Sequence, residues 1–181
     1  MTKSNKLAIM GISLLTGAIF FTACKDQTNK KESKTVESSS AIGEEVAQNK
    51  TAFKDSKVAD AYQHYVHIKT ALVNSDQTEA KNGAEMLVKV VGDSDKEIKV
   101  LAQEIASSTT IDDQRRAFAG LTEKMQALVN GALSSGEIYV QYCPMALNNK
   151  GASWLSNSKE IKNPYFGSKM LNCGSVQETI K

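Results

Sequence analysis

Cys143 and Cys173 each carry a methionine close by, in Cys143-Pro144-Met145 and Met170-Leu171-Asn172-Cys173, so four sulfur atoms fall in one C-terminal segment. Thiolate and thioether donors select soft ions such as Cu(I) and offer little to oxygen-seeking Mg(II) or Ca(II). One expectation is therefore a Cu(I) site on Cys143, Met145, Met170 and Cys173. The other is a Cys143 to Cys173 disulfide, with the methionines as core filler, because cysteine pairs in exported chains commonly bridge. His64 and His67 are the only histidines. At three-residue spacing on a helix their side chains converge. His64 lies near the edge of the apolar stripe, where it could complete a sulfur and imidazole set if the tail folds over that edge. His67 lies nearly opposite the stripe and is expected to face water.

Patterns for catalysis are absent from the sequence: no Gly-x-Ser-x-Gly elbow, no phosphate loop, no dinucleotide fingerprint and no His-Glu-x-x-His. A non-enzymatic protein without an organic cofactor is expected. Asp112 and Asp113 read as carboxylates at a helix start, favoured there by the macrodipole.

The sulfur segment needs elements to hold it. Val58, Ala61, Tyr62, Tyr65, Ile68, Lys69 and Leu72 recur at three- and four-residue steps, which predicts a first helix over about 50–74. Asp76 with Glu79 caps a second, carrying Ala80, Ala84, Leu87, Val88 and Val91 to Gly92. Ser94 with Glu97 is expected to cap a third, burying Ile98, Leu101, Ala102 and Ile105. A fourth spans about 111–130, with Phe118, Leu121, Met125 and Leu128 inward. Short connections make neighbours antiparallel, so the predicted fold is all-α: an up-and-down four-helix bundle over 46–136. After Gly136 the Ile138 to Tyr142 run is β-branched and aromatic, and prolines and glycines follow. Residues 137–181 therefore read as an irregular, looped extension packed on the bundle through its aromatics. Such a tail needs a staple. A Cys143 to Cys173 disulfide would contribute about 3.6 kcal/mol on a chain-entropy account, and a bound metal would order the tail equally well.

The other end of the chain indicates the compartment. Lys3 and Lys6 precede an apolar run from Leu7 to Phe21, the layout of an export signal over 1–23. Phe21-Thr22-Ala23-Cys24 resembles a bacterial lipobox, which implies lipidation of Cys24. More than one acyl chain on that residue would anchor the protein stably in a membrane. Residues 24–45, rich in Lys, Glu, Ser, Thr and Asn, read as a flexible linker. The chain has 22 Lys and Arg against 20 Asp and Glu. Removal of Lys3 and Lys6 with the signal leaves a formally neutral protein, without the basic stripe of a nucleic-acid binder.

Several uncommon residues recur in order along the tail: Gln141-Tyr142-Cys143-Pro144-Met145-Ala146, Asn148-Asn149-Lys150-Gly151-Ala152, Trp154-Leu155-Ser156, Lys159 to Gly167 with Asn163-Pro164-Tyr165-Phe166-Gly167, and Met170-Leu171-Asn172-Cys173-Gly174. Together with Tyr65 to Asp76 they resemble a bacterial family of uncharacterised function. Its members occur as small exported lipoproteins and as C-terminal domains of periplasmic adaptor subunits in heavy-metal efflux pumps. The resemblance implies a helical bundle with a metal-associated C-terminal segment, a place in the bacterial cell envelope facing the periplasm or the exterior, and a metal-efflux or envelope protein as partner. Relatives often carry a histidine just before the pair that here is Gln114-Arg115; this chain has Asp113 there.

Overall fold

Helix formation follows from local capping and apolar periodicity. The structure, a computed structural model, describes residues 51–181; the readings of a signal at 1–23, lipidation at Cys24 and a linker at 24–45 lie outside the described residues. A short strand β1 (Ala52–Phe53) leads into α1 (Ser56–Val73), whose N-terminus is closed by the Asp55 carboxylate accepting from Lys57 N. Helix α2 (Gln77–Val91) is capped by Asp76 through Glu79 N, and α4 (Ile111–Val129) by Thr110 through Asp113 N. Helix α3 (Lys96–Ser107) is capped by Asp95, one residue after the expected Ser94. Each cap satisfies amides that otherwise lack an intrahelical partner. The first helix starts at Ser56 rather than near 50, because Ala52–Phe53 pairs antiparallel with β2 (Leu133–Ser135) and so clasps the two ends of the bundle.

Consecutive helices pack on each other, and α4 closes back on α1. Their buried faces carry Tyr65, Ile68 and Leu72 from α1, Ala80, Ala84 and Leu87 from α2, Ile98, Ala102 and Ile105 from α3, and Phe118, Leu121 and Met125 from α4. Lys69 is buried on the same face of α1. Among the described residues no helix is long and apolar enough to cross a membrane.

Beyond the bundle the expectation of an irregular extension is corrected. Strands β3 (Ile138–Cys143), β4 (Ala152–Ser156) and β5 (Ser175–Ile180) form an antiparallel sheet in the order β4-β3-β5. Strand β3 is central, and Ile138 through Gln141 are buried. That leaves each flanking strand defined by its pairing with β3 more than by its own composition. A one-turn segment, Ala146–Asn149, joins β3 to β4. Its Leu147, Asn148 and Asn149 sit at φ 52°, 60° and 64°. A left-handed backbone costs non-glycine residues roughly 1–2 kcal/mol each, least for asparagine. Hydrogen bonds from Asn149 N to Met145 O at 3.2 Å and from Gly151 N to Ala146 O at 3.0 Å hold the turn.

An aromatic ladder fastens the sheet to the helices. Ring centroids run Phe53–Tyr62 at 5.3 Å, Tyr62–Tyr65 at 6.0 Å, Tyr65–Phe118 at 5.1 Å, Phe118–Tyr165 at 6.1 Å and Tyr165–Trp154 at 6.1 Å. Their polar ends are used as well. Tyr65 Oη accepts from Leu155 N at 2.9 Å, Tyr62 Oη donates to Asn157 Oδ1 at 2.7 Å, and Tyr165 Oη donates to Ser153 O at 2.6 Å. Buried tyrosines with partnered hydroxyls give both packing and orientation.

Candidate functional site

Two segments 30 residues apart in sequence bring Cys143 and Cys173 together. Cys143 is the last residue of β3, opposite Ala152 of β4. On the other side of β3, Tyr142 pairs with Ser175, so the chain just before β5 passes the end of Cys143's strand. The register there depends on a bulge: Val140 faces Glu178 while Gln141 faces Val176, leaving Gln177 as the extra residue. Bulges of this kind re-aim a strand end.

The segment that delivers Cys173 is organised by Asn163, which is fully buried. Its Nδ2 donates to Cys173 O at 2.8 Å, its Oδ1 accepts from Tyr165 N at 2.8 Å, and its own N donates to Leu171 O at 2.8 Å. A turn closed by Cys173 N to Met170 O at 3.1 Å follows. Gly174 then lets the chain approach the sheet. At its φ of 145° a Cβ would stand 2.7 Å from Trp154 Cη2 and 2.9 Å from Tyr142 O, too close for any side chain.

The outcome is a sulfur pair with unequal surroundings: Cys143 buried, Cys173 half-buried. A hydrogen bond between the two side chains, with burial and the charge of Cys143 behind it, pushes the Cys173 thiol up to about 11. Met170 is half-buried at the start of the same turn as Cys173. Met145, two residues beyond Cys143, is 46 % exposed. The sulfur donors named from the sequence thus separate into a converged thiol pair, one thioether in its turn and one at the surface.

Both histidines lie on α1. The tyrosine hydroxyls of α1 meet β4 at Leu155 and, just past the strand, Asn157. Leu155 is three residues beyond Ala152, roughly 10 Å along a strand. Among the described residues no three or more His, Cys, Asp or Glu side chains gather as a metal-holding group, so His64 does not form one with both cysteines. Burial, the neighbouring His67 charge and, in opposition, Asp60 leave the His64 imidazole below its ordinary value. His67 corrects the expectation of a water-facing residue. Its ring packs against Gly83 of α2, whose added Cβ would lie 3.3 Å from His67 Cγ, and its Nε2 meets Glu79 Oε2 at 3.3 Å. Hydrogen bonds from Asn82 and then His67 hold Glu79 below the usual carboxylate range. The missing side chain of Gly83 makes the space, a cue that helical periodicity does not carry.

Asp113 sits in the first turn of α4, bonded to Thr110 and Arg116. Sequence reasoning did not single out Asn163 as an organiser, nor Arg115. The guanidinium of Arg115, 8 % exposed, donates from Nε to Pro164 O at 2.9 Å and from Nη2 to Leu72 O at 3.3 Å and Ser75 Oγ at 3.1 Å. It ties the end of α1 and the tail to α4.

Residues 61–136 match a family described as a protein of unknown function (DUF3347). The matched segment begins within α1 and ends just past β2, so it covers most of the helical part and neither tail cysteine. Over those residues the chain is similar to a family of uncharacterised function. No curated protein and no solved structure matches the chain at significance.

Proposed function

We propose that this chain is a lipid-anchored, non-enzymatic protein of the cell envelope that holds or relays a soft metal ion, Cu(I), on Cys143 and Cys173. The observation that carries this reading is the convergence of two sulfurs, one buried and one half-buried, at a sheet end that a bulge, a buried asparagine and a close-packed glycine arrange. Cu(I) is stable with two thiolate ligands, whereas Zn(II) calls for about four donors, and hard cations want oxygen. Met170, in the same turn as Cys173, is the thioether assigned as a third donor in this reading. Met145 at the surface suits capture or hand-over, and His64 is the more distant candidate. A metal-efflux or envelope protein is the matching partner.

The test is native mass spectrometry on the full-length chain in detergent, prepared anaerobically and offered Cu(I) in reductant. One copper per chain, lost in both Cys143→Ser and Cys173→Ser, is the expected result. Binding that survives the double serine variant would overturn the proposal.

A second reading rests on the same two free cysteines, one buried and one half-buried at one sheet end: a disulfide-stapled interaction module of the envelope that takes no metal. Its mark is a two-proton mass loss in air, with no copper adduct under reducing conditions. Two free tail thiols in protein isolated without reductant would count against it.

A further inference from the structure

A cavity of about 570 Å³ opens between the start of α4 and the tail, within the size range of small-molecule sites, roughly 300–1,000 Å³. Four cationic side chains line it, Arg115 and Arg116 from α4, Lys150 from the turn after β3 and Lys169 from the tail, against one carboxylate, Asp112. In a chain of 22 basic and 20 acidic residues this concentration does not follow from composition.

The four cations differ in what occupies them. Arg115 is buried and spent on Pro164 O, Leu72 O and Ser75 Oγ, with Asp112 Oδ1 at 3.4 Å from Nη1, so it supplies a fixed positive field. Arg116 is paired with Asp113. Lys150 and Lys169 are exposed and make no ion pair among the described residues. Like charges gathered at a concave surface repel one another and focus the field on whatever enters.

The backbone builds the cavity rather than leaving it by default. Leu147 and Asn148, at φ 52° and 60°, line one wall, and the left-handed turn sets Lys150 beside them. Gly167, at φ 58°, brings the tail onto Arg115: a Cβ there would stand 2.6 Å from Ser75 Oγ and 3.3 Å from Arg115 Nη2. Its neighbours Tyr165, Phe166 and Lys169 line the cavity. The lining therefore combines four cationic side chains with the apolar surface of Leu147, Tyr165 and Phe166.

We infer that this cavity binds a small organic anion, a carboxylate or phosphate group on an apolar body. Lys150 and Lys169 clamp the headgroup, Arg115 and Arg116 add field, and the body lies against Leu147 and Phe166. Lysines on mobile stems suit a headgroup as point charges, and the Asn148 amide is placed to donate to it. The site is separate from the sulfur pair and does not depend on it.

The test uses ¹⁵N-labelled full-length chain in detergent, titrated at constant ionic strength with phenyl phosphate, benzoate, inorganic phosphate and neutral benzyl alcohol. Saturable shifts of the Leu147 to Gly151 and Phe166 to Lys169 amides with phenyl phosphate or benzoate are expected, and the tighter of the two identifies the headgroup. The double variant Lys150→Ala, Lys169→Ala should bind at least tenfold more weakly while keeping the wild-type melting temperature, because both side chains are exposed. Replacing Cys143 and Cys173 by serine should leave the shifts in place. Shifts no larger than those from added NaCl, or unchanged in the lysine variant, mean an adventitious ion only and overturn the inference. Equal binding of inorganic phosphate and phenyl phosphate, or binding of benzyl alcohol as tight as either anion, overturns it too.

Discussion

Cys173 holds its proton more tightly than an ordinary cysteine, because ionising it would break the hydrogen bond to Cys143 and place charge beside a second sulfur. Raised from 9.0 to about 11, its thiolate fraction at pH 7.5 falls about 100-fold, and so does its reactivity. Iodoacetamide should therefore label Cys173 about 100-fold more slowly in folded protein than in urea. Comparable rates would contradict this protonation state. The sign for stability follows from the raised value: the contribution is complete below about 9 and is lost as pH rises toward about 11. Metal binding on this thiol must expel its proton, so Cu(I) affinity should increase with pH, by up to about tenfold per unit for each proton released. His64 works in the opposite sense. Its lowered imidazole means that the folded protein binds fewer protons than the unfolded chain, so its contribution is present above 6.5 and lost as pH falls through the folded value. The urea midpoint should drop between pH 7.5 and 5, and by less in His64→Gln. Equal drops would remove His64 from the account.

At the scale of elements, Asn163 links the tail's loop to the sheet. Asn163→Ala would leave the Cys173 carbonyl and the Tyr165 amide without their buried partner. At roughly 1–3 kcal/mol for each orphaned group, a loss of about 2–6 kcal/mol is expected in urea denaturation. Because the same bond positions Cys173, air oxidation of the Cys143 and Cys173 pair should also slow. Lost stability with an unchanged oxidation rate would show that Asn163 does not place the cysteine. The helices were readable because each combines a local cap with a 3.6-residue apolar period, and both signals are contiguous in sequence. Strand β5 was not readable. Of Ser175–Ile180 only Ile180 is buried, so the segment has no apolar alternation, and it is a strand because β3 offers an edge.

For the whole molecule, Phe118 is the residue through which bundle and tail share one core, stacked on Tyr65 and tilted on Tyr165. Phe118→Ala should cost about 3–5 kcal/mol and expose the tail to protease as the rings beyond it lose their platform. Arg115→Met removes the polar tie instead and orphans the Pro164 carbonyl, while Leu72 O keeps the Ser75 amide; about 1–3 kcal/mol is expected, with the tail again cut faster than α1–α3. Tail and bundle unfolding in separate steps in the wild type would contradict a shared core. By itself the sequence determined what is local: four capped amphipathic helices, a change of character after Gly136, and a tail whose soft sulfur atoms and aromatics invite a staple. Only the tertiary structure decided that Cys143 and Cys173 meet, that His67 turns inward against Gly83, and that Arg115, Lys150 and Lys169 face one cavity. Those outcomes depend on strand register, a bulge and close glycine contacts between distant segments, whose energies arise only once the partner segments are in place.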